Sequence, residues 1–157
     1  MVQHIIAGIA VATLQITSPS FKDNDFIPST FTCEGESISP ELHIKNIPPK
    51  TKTLAVIVDD PDAPNGPFVH WVAWNMPLAE TIPEKTVAGN MGKNGRGTKG
   101  YTGPCPPTGV HHYHFNVYAL DIELKLNDGA GKVELKNAMK GHILGSGEIV
   151  GLYKKLK

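Results

Sequence analysis

Three short segments gather the side chains that could do chemistry. Asp59-Asp60-Pro61-Asp62-Ala63-Pro64 sets three carboxylates within four residues, directly after the apolar run Leu54–Val58. Pro61 and Pro64 restrict the backbone around Asp62, so these acids are held rather than left to swing. His70 stands near the start of a second apolar run, and His111-His112-Tyr113-His114 opens a third. Strand alternation puts His111 and Tyr113 on the face of Phe115, Val117 and Ala119, and sends His112 and His114 to the other face. The same alternation gives His70 the face of Val72, Trp74 and Met76.

Taken singly, each segment has a plain structural reading: an Asp-Pro turn, a core histidine, a pair of sheet-packing histidines. Taken together they describe one pocket. If the strands opened by His70 and His111 are neighbours, both rings and the Tyr113 hydroxyl reach the same end of the core. There they offer hydrogen-bond donors to an anion, helped by backbone amides of a Gly-rich loop. A carboxylate repels an anion, so Asp60 or Asp62 must serve otherwise. One is expected to accept a bond from a histidine ring and fix its tautomer, and the other to meet a ligand ammonium group. His112 and His114, two apart on a strand, have metal-ligand spacing, but the reading taken is a solvated or sheet-packing role and no metal site.

Other chemistries find little support. Gly95-Arg96-Gly97-Thr98-Lys99-Gly100 matches a dinucleotide fingerprint, but the following Gly-Tyr-Thr-Gly-Pro-Cys-Pro-Pro cannot open the helix that fingerprint needs. No G-x-S-x-G elbow is present, and Cys105, a thiol that His111 could activate, lies between two prolines. The expectation is therefore a binding protein, with no catalytic residue and no cofactor. Lysine plus arginine equals aspartate plus glutamate at 15 each, which leaves no basic field for nucleic acid. Cys33 and Cys105 are too few for a disulfide scaffold, and a cytoplasmic home, with the periplasm or secretion as alternatives, predicts reduced thiols. Ile5–Ala12 is too short to span a membrane and lacks the positively charged start of a signal, so it reads as an ordered strand or arm, with a signal remnant ending at the cleavage-like Ala10-Val11-Ala12 as the alternative.

The positioning elements follow from punctuation and periodicity. Strands are predicted at Leu54–Val58, Val69–Met76 and His111–Leu120, with weaker ones at Thr13–Thr17 and Thr30–Thr32. One helix is predicted at Lys132–Lys140, with Gly141 past its end. Thirteen prolines and sixteen glycines, with no βαβ alternation, give one all-β domain over residues 1–157. Its expected architecture is an antiparallel sandwich of two packed sheets with one or two short helices. The long segment from Gly89 to Gly109 has no apolar periodicity and reads as a functional loop.

In this order, Asp60-Pro61-Asp62-Ala63-Pro64, His70, Gly103-Pro104-Cys105-Pro106-Pro107 and His111-x-Tyr113 resemble the phosphatidylethanolamine-binding protein family, which includes the Raf kinase inhibitor proteins. Phe31-Thr32-Cys33-Glu34-Gly35, Ser39-Pro40 and Gly141-His142-Ile143-Leu144 bring the resemblance nearest to the bacterial and archaeal branch. It implies two packed antiparallel sheets and a pocket lined by Asp60, Asp62, Pro64, His70, Pro106, Pro107, His111 and Tyr113. The implied ligand is a small anion, phosphate-like or a phosphoethanolamine head group. The implied partners include a kinase or serine protease to be inhibited, and a second copy in a homodimer. Eukaryotic members add a C-terminal helix beside the pocket. This chain stops soon after Tyr153, so that wall is expected to be missing or different.

Overall fold

The computed structural model describes residues 10–157. Its strands are β1 (Ala12–Thr13), β2 (Gln15–Thr17), β3 (Asp25–Phe26), β4 (Leu42–Lys45), β5 (Thr53–Asp60), β6 (Phe68–Pro77), β7 (Thr81–Ile82), β8 (Asn90–Met91), β9 (His111–Leu120) and β10 (Ile143–Tyr153). One helix, α1 (Lys132–Met139), lies between β9 and β10. The expected all-β sandwich is what the chain forms. A large sheet runs β1-β10-β9-β5-β6-β8, with β3 also on β10, and a small sheet runs β2-β4-β7. β1 and β3 pair with β10 in parallel, while the central pairings are antiparallel.

The middle of the large sheet, at β5 and β6, is buried on both faces, and this explains its sequence. One face packs Leu54, Val56, Val58, Tyr113, Phe115 and Val117 against Ile16, Leu42 and Ile44 of the small sheet. The other packs Ala55, Ile57, Val72 and Trp74 against Leu135 and Met139 of α1. A strand covered on both sides has no polar face to show, hence the unbroken Leu54–Val58 run. α1 starts at Gly131, whose N–H donates to Glu134 Oε2 at 3.1 Å, and Gly141 beyond its end takes φ +81°.

Two strand expectations change. Thr30–Thr32 is not a strand, since Ser29–Phe31 makes a turn of 3₁₀-helix. Thr13–Thr17 splits, β1 going to the large sheet and β2 to the small one. Of Ile5–Ala12, Ala12 opens β1, and residues 5–9 lie outside the described residues.

The third change concerns the cysteines. Cys33 and Cys105 form a disulfide, with Cα atoms 5.4 Å apart. The expectation of reduced thiols rested on an assumed compartment, whereas packing decides the pairing. Cys33 N–H donates to the Pro104 carbonyl at 3.0 Å, Tyr101 Oη to the Phe31 carbonyl at 2.8 Å, and Gly103 N–H to Ser37 Oγ at 2.8 Å. These bonds lay the Pro-rich loop along the segment that carries Cys33.

Candidate functional site

Antiparallel pairing brings the C-terminal end of β5 beside the N-terminal ends of β6 and β9. Asp60, Phe68, His70, His111 and Tyr113 therefore meet at one end of the large sheet. They line a cavity of about 500 Å³, walled by Pro64 and Pro67 on one side and by Cys105, Pro106 and Pro107 on another. The size suits a small organic ligand, which typically occupies ~300–1,000 Å³.

His70 reaches this cavity through a register shift. Val58 pairs with Trp71 and Asp59 with Val69, so His70 is an extra residue opposite no partner. The bulge breaks the alternation read from the sequence. Val72 and Trp74 pack under α1, while His70 lies with its ring 5.2 Å from that of Tyr113, edge to face. Strict alternation had grouped His70 with Val72 and Trp74, and the bulge corrects that grouping.

Short hydrogen bonds tie down the polar groups at the cavity floor, with one exception. His111 Nδ1 donates to Asp60 Oδ2 at 2.7 Å, and the backbone N–H of Asp62 donates to Asp60 Oδ1 at 2.8 Å. Asp60 thus spends both oxygens on holding His111 and the β5–β6 turn. His70 Nδ1 donates to the Thr102 carbonyl at 2.7 Å. Burial lowers the pKa of His70, outweighing the pull of the Thr102 carbonyl and Asp60 toward the charged form. Tyr113 is buried, and its hydroxyl has no hydrogen-bond partner among the described residues. Burial, then the Asp60 and Asp62 charges, push its pKa up, so it stays a phenol and can donate.

Asp62 is the predicted site residue that the structure places elsewhere. Its Oδ2 accepts the backbone N–H of His112 at 2.8 Å and the ring Nδ1–H at 2.7 Å. Those two bonds, the ring's first, lower its pKa. It belongs to the exposed outer face and does not line the cavity, which leaves Asp60 as the carboxylate among the lining residues. His114 turns to Glu148 at 3.0 Å rather than to His112. No cluster of three or more potential metal-ligating side chains occurs among the described residues.

Arg96 and Phe68 line the cavity and were not singled out from the sequence. Arg96 is the sole arginine of the chain. It sits on a tight turn built by Asn94, whose Oδ1 accepts the Arg96 N–H at 2.9 Å and the Thr98 hydroxyl at 3.1 Å. The Phe68 ring packs on Gly95, where a Cβ would come within 2.6 Å of it, so a larger residue there would push the ring aside. The Arg96 guanidinium is exposed and makes no ion pair among the described residues, yet its charge reaches His70. Lys155, Leu156 and Lys157 border a separate hollow that shares Cys105 with this one.

The phosphatidylethanolamine-binding protein family model matches residues 17–154. The chain belongs to the phosphatidylethanolamine-binding protein family. A UPF0098 protein of Pyrococcus horikoshii is 50% identical over 149 residues, covering 88% of this chain and 75% of the relative. One from Methanothermobacter thermautotrophicus is 44% identical over 153 residues, covering 90% and 99%. Among solved structures, a putative phosphatidylethanolamine-binding protein homologue from Chlamydia trachomatis superposes with a TM-score of 0.87 at 37% identity, covering 91% of this chain and 98% of its own. E. coli YbcL, described as a member of the mammalian family, gives 0.83 at 29%, covering 92% and 99%. Seven of the eight pocket residues that the resemblance implied line the cavity, Asp62 being the exception. Among the described residues, no helix is long and apolar enough to cross a membrane.

Proposed function

We propose that this family member binds a phosphate-like oxyanion on a small organic group, of which a phosphoethanolamine head group is one example, and that it does so without catalysis. The observation that carries the reading is Tyr113, a cavity-lining residue whose hydroxyl is a buried donor without a partner among the described residues, beside Arg96, which makes no ion pair among them. Leaving such a donor unsatisfied costs ~1–3 kcal/mol, which a ligand oxygen would recover. Arg96 adds the permanent charge and the planar fork that suit an oxyanion. The disulfide takes Cys105 out of contention as a thiolate nucleophile, which weighs against acyl-transfer chemistry.

Titration calorimetry with phosphoethanolamine tests this. Tyr113→Phe is expected to weaken binding by ~1 kcal/mol and Arg96→Gln by ~1.5–3 kcal/mol, the range for a charge-assisted bond. Lys99→Gln, in the same loop but paired with Asp128, serves as control and should bind as the native chain does. Equal losses in the Arg96 and Lys99 variants would reduce the effect to general charge and sink the assignment.

A further inference from the structure

The way the two cavity histidines are tied down implies a selectivity that charge alone does not provide, and this step rests on the oxyanion reading above. A peptide carbonyl only accepts hydrogen bonds. The 2.7 Å contact to the Thr102 carbonyl therefore fixes the proton of His70 on Nδ1. The neutral ring is left with a lone pair on Nε2, and His70 lines the cavity. We infer that His70 makes the cavity select an oxyanion that still carries a proton, such as a phosphate monoester in its monoanionic form, over a sulfate ester of the same shape. The P–OH of the monoester donates to His70 Nε2 while its other oxygens accept from Arg96 and the Tyr113 hydroxyl. A sulfate ester has no proton near neutral pH and would set its own lone pair against that of Nε2.

A doubly protonated His70 would remove the distinction, and its surroundings oppose that state. Burial and the charge of Arg96 disfavour it, while the Thr102 carbonyl, Asp60 and Asp59 favour it, and the balance lies with the neutral ring. Phe68 and Tyr113 meet the ring edge to face and supply no formal charge. His111 differs in facing a carboxylate, Asp60, across its Nδ1. The selectivity is therefore assigned to His70.

Calorimetry with phenyl phosphate and phenyl sulfate near pH ~6.5, in two buffers of different ionisation heat, decides the matter. Phenyl phosphate should bind at least ~10-fold more tightly, as expected for one hydrogen bond gained against one repulsion. It should also take up protons on binding, because near its second pKa of ~6 much of the free ester is the dianion. His70→Gln, whose amide can turn an N–H to the ligand, should bring the two esters within ~3-fold of each other. Equal affinities in the native protein overturn the inference, as does a preference retained in the variant or reached without proton uptake. Should the variant fail to fold, the buffer dependence of the native protein still decides. If neither ester binds, the oxyanion reading itself falls, and this inference with it.

Discussion

Two histidine–aspartate pairs sit side by side at the start of β9, alike in geometry and opposite in setting. Asp60 holds His111 and Asp62 holds His112, each across 2.7 Å, and each joins the β5–β6 turn to the first residues of β9. The side chains of the first pair are 8% and 5% exposed, those of the second 49% and 41%. Strand alternation alone separates them, sending His111 into the cavity and His112 into solvent. The contrast teaches that the bond length says little about what such a pair does. Burial decides whether it orders a binding site or decorates a surface.

The largest effect expected from that contrast is on stability. Asp60→Ala would strand the His111 ring N–H in a buried place and take away the acceptor of the Asp62 backbone N–H, at a cost of about 3 kcal/mol. Asp62→Ala removes an exposed pair and should cost less than ~1 kcal/mol. Urea denaturation of both variants makes the comparison. Similar midpoints would mean that the Asp60 bonds contribute no more than the surface ones.

Ligand binding should separate the pairs next. His111→Ala is expected to weaken phosphoethanolamine binding by ~1–3 kcal/mol, and His112→Ala to leave it unchanged, because only the first ring lines the cavity. Equal damage in the two variants would place the ligand outside the cavity.

How far these differences could be read from residues depends on what sets them. The faces of His111 and Tyr113 were legible because β9 alternates without interruption from His111 to Ala119. His70 was not, because a β-bulge is one inserted residue and carries no residue type of its own. That the strands opened by His70 and His111 lie close was only a condition in the sequence argument. The pairing of both β6 and β9 with β5 supplies it. Asp60 and Asp62 share a motif, and nothing in its spacing says which acid faces inward. Arg96 was hidden by the rejection of the glycine-rich motif around it, although a sole arginine in a long loop was a usable signal. The cysteine pairing depended on contacts between segments 72 residues apart, which no local pattern contains.

The smallest effect concerns acid. His70 has a folded-state pKa below the 6.5 of an unhindered histidine. The unfolded chain therefore binds more protons than the folded one between those two values, and stability falls as pH drops through that window. Asp62 also has a lowered pKa, but as an acid its contribution is complete above about 3.8 and disappears only as pH falls through its folded value. The two losses thus occupy different ranges, the buried ring's beginning near neutrality and the exposed acid's only in strong acid. Solvent screening keeps the Asp62 contribution small. Melting temperatures of the native chain, His70→Gln and Asp62→Asn from pH ~7 to ~3 separate them. His70→Gln should flatten the curve just below pH ~6.5, and Asp62→Asn only near its acid end. A native curve that His70→Gln leaves unaltered between pH ~6.5 and ~5 would show that burial does not hold this ring neutral.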